Sequence, residues 1–274
     1  MDIFKPRGFV ERLTPLNPFE RIDDGRPRVP DDLLERTRAV TTEQAWVVLR
    51  EHGYHHQFEG GWFRTNPDRI LVGRALTAVF VPDRPDLHEI AQSEGLADER
   101  VEGVQHNSWV IDLLQPGDVM VVDMFGKVVD GPFIGDNLAT SIASRTGVGA
   151  VINGLIRDYQ GIRQMKDVTF FCRGLHPSAI GDVTLAGVNI PARIGAATVM
   201  PGDLVLGTPT GLIFIPPHLA REVVERADNE AMRDRFTRQR LSEGTYSPGV
   251  MDTLPWPDHV KADYLRWSGE QPAE

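Results

Sequence analysis

The sequence predicts an α/β protein with helices toward its N-terminal end and a long C-terminal helix followed by an extended tail. Three observations carry this expectation. Residues 135–158, GDNLATSIASRTGVGAVINGLIRD, pass from a run rich in Ala, Ser and Leu, through the stop Thr146-Gly147, into the short apolar run GAVINGLI. That is the pattern of a helix followed by a buried strand. From Ile70 onward the texture becomes β-branched and apolar, beginning with RILVGRALTAVFV. Near the other end, Pro216-Pro217 opens a long charged stretch, His218 to Leu241, with proline suited to a first helical turn.

The remaining elements follow in order. Residues 1–30 hold five prolines and scattered charges, so they read as an extended arm. Pro30-Asp31-Asp32 starts a helix whose apolar face would use Leu33, Leu34 and Val40. Thr41-Thr42-Glu43 can cap a second helix that runs to His52 and ends at Gly53. After the first strand, Asp86 to Ser93 suits a short helix and 95–103 an acidic loop. Gln115-Pro116-Gly117-Asp118 precedes the strand VMVVD, and the phrase returns as Met200-Pro201-Gly202-Asp203 before LVLG and GLIFIP. Pro-Gly-Asp before a β run is a turn signal, so these aspartates are read as structural. VTFFCRG forms a further strand, and 181–199 reads as hairpin material with glycines at the bends. The expected organisation is an arm at 1–30, a central domain at 31–244 and a C-terminal extension at 245–274. The rings of Trp256, Tyr264 and Trp267 leave that extension either loose or anchored to a neighbour.

Composition narrows the function. A chain of 274 residues is long enough for a substantial core, and 41% hydrophobic with 25% charged residues is ordinary for a soluble globular protein. The net charge of −10 argues against nucleic acid as the main partner, because no basic surplus neutralises phosphates. No run reaches membrane-spanning length and the start lacks a signal-peptide apolar stretch, so a cytoplasmic protein is expected. Cys172 is the single cysteine, which excludes an intramolecular disulfide and a cysteine-based zinc site, and its apolar run suggests a buried, inert thiol. His52, His55 and His56 read as surface histidines, since adjacent histidines do not easily share one ion.

The lysines are only Lys5, Lys127, Lys166 and Lys261, none in an apolar setting, which disfavours Schiff-base catalysis. There is no Gly-x-Ser-x-Gly elbow and no glycine-rich phosphate loop. What remains is carboxylate, arginine and backbone chemistry, concentrated in 135–158. The helix start at Gly135-Asp136 offers unpaired N–H groups and a positive dipole end, which suit a carboxylate. The strand end offers the Arg157 guanidinium for a bidentate contact and the Asp158 carboxylate for a divalent cation. A capped helix beside a surface ion pair accounts for the same residues equally well.

GDNLATSIASRTGVGAVINGLIRD resembles the central motif of the RraA-like family, which includes 4-hydroxy-4-methyl-2-oxoglutarate/4-carboxy-4-hydroxy-2-oxoadipate aldolases and protein regulators of RNase E. LVGRALTAVF, LLQPGDVMVVD, FCRGLHP, VMPGDLVLG and GLIFIP support it in the family order, and the resemblance covers residues 30–245. It implies a β/β/α swivelling-type sandwich, assembled as a homotrimer or a dimer of trimers with sites between subunits. It also implies a metal-dependent lyase acting on a small 2-oxo acid, releasing pyruvate from a 4-hydroxy-2-oxo acid and decarboxylating oxaloacetate. By resemblance, Arg157 grips the substrate carboxylate and Asp158 anchors Mg²⁺ or Mn²⁺, largely through waters. Gly135 and the backbone amides of Asn137 and Leu138 complete the carboxylate cradle. Asp136 positions or deprotonates a metal-bound water, and Glu230 in EAMRDRF matches a glutamate offered by the adjacent subunit. The chain departs from the family at Asn137, where a hydrophobic residue is common, at Asn153, where aspartate is frequent, and at Gly207 to Gly211, where aspartates are usual. Other metal-enolate chemistry on a sugar-acid-like substrate, and a non-enzymatic regulator of an RNA-processing enzyme, stand as the alternative implications.

Overall fold

The computed structural model describes residues 2–269, and the elements, contacts and absences of structure are those of these residues. They form two compact units, one up to Val223 and one from Val224. In chain order the first unit carries α1 (Arg7–Leu13), α2 (Asp31–Thr37), α3 (Thr42–Glu51), β1 (Phe58–Glu59), β2 (Phe63–Arg64) and β3 (Leu71–Pro82). It continues with α4 (Pro85–Leu96), α5 (His106–Asp112), β4 (Asp118–Asp123), β5 (Pro132–Ile134), α6 (Asp136–Thr146), β6 (Gly149–Ile156) and α7 (Tyr159–Ile162). Then come β7 (Thr169–Leu175), β8 (Val183–Val188), β9 (Ala192–Ile194), β10 (Ala197–Val199), β11 (Leu204–Gly207) and β12 (Leu212–Ile215). The helix α8 (Pro217–Ser242) crosses the division, and α9 (Pro248–Met251) and α10 (Asp258–Gly269) follow. No helix is long and apolar enough to cross a membrane.

The class expected from sequence is the one observed, a mixed α/β fold with β/β/α layering. The main sheet runs β1-β12-β11-β3-β4-β6-β7-β2, with β5 added beside β6 and β8 beside β3. Its centre, β3-β4-β6-β7, is parallel, so the carboxyl ends of these strands share one edge. Side chains alternate across it with the period of two that extended backbone imposes. Leu76, Ala78, Phe80, Met120, Val122, Ala150 and Ile152 face one way, into the core shared with Trp109, Ala139 and Ile142 of the helices. Ala75, Val119, Val121, Val151 and Phe171 face the other, against Ile194, Ala197 and Val199 of the β9–β10 hairpin.

Several elements match their local signals. Thr41 caps α3 in a complete capping box with Gln44. Gly147 ends α6 in the left-handed conformation. Other elements differ from expectation. The 86–93 helix extends to Pro85–Leu96, because Pro85 occupies its first turn. The 181–188 stretch does not form a hairpin but pairs antiparallel with the second half of β3. His52 meets Glu222 at 3.0 Å, while His55 and His56 are exposed; no described cluster of three His, Cys, Asp or Glu residues is placed to hold a metal. Cys172 is buried, and burial pushes its thiol up to about 12.

The first thirty residues, expected as an extended arm, are packed. They form α1 and bury Ile3, Val10, Arg26 and Val29. The reason is electrostatic as well as apolar. Arg26, fully buried, donates to both Asp118 oxygens at 2.9 Å and to Asp24 at 2.7 Å. Asp118 in turn accepts the Gln115 N–H, closing the first Pro-Gly-Asp turn at 2.9 Å. Asp203 closes the second turn in the same way on Met200 N–H, at 2.8 Å. The residues from Val224 make their own small core of Phe236, Met251, Trp256, Val260 and Trp267, with Arg240 paired to Asp263 at 2.7 Å. Residues 245–269 are therefore largely helical and ring-packed within this unit, and the rest of the expected extension lies outside the described residues.

Two outcomes follow from these buried charges. Arg26→Ala leaves Asp118 uncompensated and should lower stability by about 3–5 kcal/mol, read from the urea midpoint. Burial pushes the Asp203 carboxyl up to about 7, against 3.8 for an ordinary aspartate. Between these values the folded state binds the extra proton, so this group's stabilisation is present in acid and lost as pH rises through 7. Wild type minus Asp203→Asn unfolding free energy should therefore decline between pH 4 and 7, by at most about 1.4 kcal/mol per pH unit. A flat difference would show that Asp203 ionises normally.

Candidate functional site

The parallel pairing of β5 with β6 sets Ile134 beside Ile156. The next residues along each strand are Gly135 and Arg157, and the Arg157 N–H donates back to Ile134 O at 3.0 Å. Gly135 then begins α6 without any side-chain cap, and the first helical bond runs from Ala139 N to Gly135 O. The uncapped first turn therefore opens beside the end of β6.

Close approach here depends on a missing side chain. A Cβ on Gly135 would lie 2.3 Å from Asp158 Oδ2 and 3.2 Å from Arg157 Nε. A Cβ on Gly161 would lie 2.8 Å from Asp136 Oδ2. Asp136, Arg157 and Asp158 thus converge on two glycines. Arg157 Nε stands 3.5 Å from Asp158 Oδ2, with the two side chains 42% and 49% exposed, so both remain open to a ligand. Asp158 holds φ 53°, ψ 36°, a left-handed conformation that costs a non-glycine residue energy and turns the chain into α7. Asn137 is exposed and its N–H donates to Asp136 Oδ1 at 2.9 Å, while Leu138 is half-buried against the core.

The arrangement offers one guanidinium and a positive helix end for an anion, and two hard carboxylates for a cation. The donor set suits Mg²⁺ or Mn²⁺, which accept one or two carboxylates and keep several waters. Asp158 could hold such an ion, since its carboxylate is half-exposed beside Gly135, with Arg157 as its charged neighbour. Glu230 lies elsewhere in the chain's organisation: it belongs to the unit from Val224, on α8, where it pairs with Arg226 at 3.4 Å and Arg233 at 3.5 Å.

A supporting network went unread in the sequence. Asn153 donates to Asp123 Oδ1 at 3.1 Å and accepts from Arg173 Nε at 2.9 Å. Arg173 reaches Glu59 at 2.7 Å and lies 3.8 Å over the Trp62 ring. Asp123 Oδ1 also accepts the Phe125 N–H at 2.8 Å, fixing the turn that leads toward β5. This explains asparagine at 153: it can donate to one neighbour and accept from another, where a second carboxylate would face Asp123. Gly161 carried a readable signal, a glycine three residues after Asp158. The Asp123–Glu59 network had none, because its members are scattered along the sequence.

Comparison with known proteins identifies the family. The Aldolase/RraA family model, described as RraA-like, matches residues 31–214. A Halalkalibacterium halodurans protein, provisionally named as a 4-hydroxy-4-methyl-2-oxoglutarate aldolase, is 31% identical over 134 residues, which are 47% of this chain and 60% of that protein. The chain thus spans less than two thirds of that relative's length. Streptomyces coelicolor RraAS2, described as an unusual member of the RNase ES inhibitor RraA protein family, superposes with a TM-score of 0.64 at 26% identity, covering 81% of this chain and all of that one. A Pseudomonas syringae protein shares the fold at a TM-score of 0.64 and 22% identity, covering 83% of this chain and 93% of its own. With the family model matched over most of its length, the chain belongs to the RraA-like family.

Proposed function

We propose that this protein is a divalent-metal-dependent carbon–carbon lyase acting on a 2-oxo acid. Its reaction would be retro-aldol cleavage of a 4-hydroxy-2-oxo acid to pyruvate, with decarboxylation of oxaloacetate as a second activity. The convergence of Arg157 and Asp158 on Gly135, with Asp136 set against Gly161, is the observation that carries the reading. A bound Mg²⁺ or Mn²⁺ would supply Lewis acidity toward the 2-oxo group.

The chain's own groups do the rest. Arg157 binds the substrate carboxylate through paired N–H donors, and the Leu138 amide, joined by that of Asn137 when it exchanges Asp136 Oδ1 for the substrate, completes the cradle at the start of α6. Asp158 holds the cation. Asp136, directly or through a water, takes the proton from the C4 hydroxyl, a role that typically contributes ~10²–10⁴-fold. The C3–C4 bond breaks, its electron pair passes into the pyruvate enolate, C4 becomes a carbonyl, and C3 is then protonated. Glu230 enters as a group from a neighbouring subunit in a homotrimer or a dimer of trimers. A second reading, a regulator of an RNA-processing enzyme, is favoured by the likeness to RraAS2. Such a regulator should capture a ribonuclease and be indifferent to Asp158→Ala.

Pyruvate formation from oxaloacetate, with and without Mg²⁺ or Mn²⁺, tests the lyase. Wild type should be active only with metal. Asp158→Ala should lose about 100-fold or more while remaining folded. Arg157→Ala should mainly raise KM, by about tenfold to a hundredfold, as expected for a lost charged hydrogen bond. Normal kinetics in both variants would refute these roles. Gly135→Ala, which drives a methyl into Asp158 and Arg157, should weaken pyruvate binding by calorimetry about tenfold or more, since misplaced binding groups are costly. Unchanged binding in Gly135→Ala would mean that the cradle does not depend on this close approach.

A further inference from the structure

The carboxyl edge of the parallel strands carries a cleft of about 500 Å³ where β3 runs out. Its walls come from the segment entering α4, the start of α5 and the segment entering β8. On one wall Asp83 accepts from Thr184 Oγ1 at 2.8 Å and lies 3.1 Å from His88 Nδ1. The His88 ring stacks on His106 at 4.8 Å. His106 accepts the Leu185 N–H at Nδ1, at 3.3 Å, and so carries its proton on Nε2, facing Gln92 Oε1 at 3.1 Å. Burial, with His88 beside it, pushes His106 down to about 4 and keeps it neutral. The Gln92 amide nitrogen remains as a donor. Beside Asp83, across the β3–β8 pairing, stands Asp182, in the left-handed region at φ 52°, its carbonyl accepting the Asp83 N–H at 3.0 Å. No lysine or arginine lines the cleft.

The cleft and the Gly135 cradle belong to one frame. β3, β4 and β6 are adjacent and parallel, with Val79 beside Asp123 and Asp123 beside Asn153. At about 4.8 Å per strand, the ends of β3 and β6 lie roughly 10 Å apart across the sheet. The Asn107 amide donates to Phe133 O at 2.8 Å, two residues before Gly135. The Gly181 N–H donates to Asp130 O at 2.9 Å, on the loop after β4. Ligands of parallel α/β sheets lie along this edge, and the separation is within reach of a six-carbon chain.

We propose that the cleft receives the distal half of the substrate, and that this half is polyhydroxylated rather than carboxylated. The substrate class is then a 2-oxo-3-deoxyaldonic acid. This rests on the lyase reading given above. Hydroxyls of such a tail donate to Asp83 and Asp182 and accept from Gln92. A tail carboxylate would instead meet two carboxylates with no lysine or arginine to answer it, a repulsive element that sets specificity. Cleavage breaks C3–C4, leaves the electron pair on C3 for protonation to pyruvate, and releases C4 as a hydroxyaldehyde after its hydroxyl proton departs.

The test compares kcat/KM for pyruvate release, with Mn²⁺ present, from six-carbon 2-oxo-3-deoxyaldonates of both C4 configurations and from 4-hydroxy-2-oxoglutarate. Wild type should favour the hydroxylated acid by about tenfold or more. Asp83→Asn/Asp182→Asn, at two exposed positions where asparagine tolerates the backbone, should shrink that ratio by about tenfold. A wild-type preference for the dicarboxylate, or a ratio unmoved in the double variant, overturns the inference. Oxaloacetate serves as the control. If it is decarboxylated while the tail preference fails, only this inference falls; if it yields no pyruvate with either metal, the lyase reading falls and takes the inference with it.

Discussion

The buried pair of Arg26 and Asp118 is the constraint on which the amino edge of the sheet depends. Asp118 both closes a turn and starts β4, so an unpaired charge there would undo the entry to a central strand. The guanidinium brings the N-terminal segment into the core and touches β3 through Ala75 O at 3.4 Å. The second Pro-Gly-Asp turn solves the same problem differently. Asp203 is equally buried, yet among the described residues no cation pairs with it, and burial raises its carboxyl to about 7 instead. Two copies of one local phrase are thus neutralised by a cation in one case and by a proton in the other.

With the starts of the strands fixed, their ends are fixed too. Parallel strands deliver Asp123, Asn153 and Arg157 to one edge, and short loops there place the polar groups. The crowding around Gly135 and Gly161 holds two carboxylates and a guanidinium near a helix end, with Asp158 in a conformation it would not choose alone. Such an arrangement persists only where the surrounding backbone over-determines it. Here the parallel β5–β6 bonds below and α7 above provide that frame.

Much of this was legible because it is local. The 135–158 stretch contains its own helix stop, its own strand and its own charged exit, so residues adjacent in sequence remain adjacent in space. The cap that Thr41 gives α3 is read for the same reason. What escaped depends on distant partners. The packing of residues 1–30 follows from Arg26 finding Asp118, 92 residues away. β8 pairs with β3 rather than with its neighbours in sequence, and the cleft beside it needs Thr184 to meet Asp83 across 101 residues. Asn153 looked like a departure from pattern until Asp123 and Arg173 were seen on either side of it.

The small aromatic core of the second unit has a spectroscopic consequence. Trp46, Trp62 and Trp109 lie in the first unit, and Trp256 and Trp267 in the second, both nearly fully buried. Trp46 is 41% exposed, with a guanidinium 4.6 Å away, so it already senses water in the native state. The intrinsic emission of this chain is therefore a sum over two bodies, each with its own buried indoles. A single thermal midpoint read from it describes a two-state transition only if both bodies open together; replacing Trp256 and Trp267 by phenylalanine would turn the same signal into a reporter of the sheet alone.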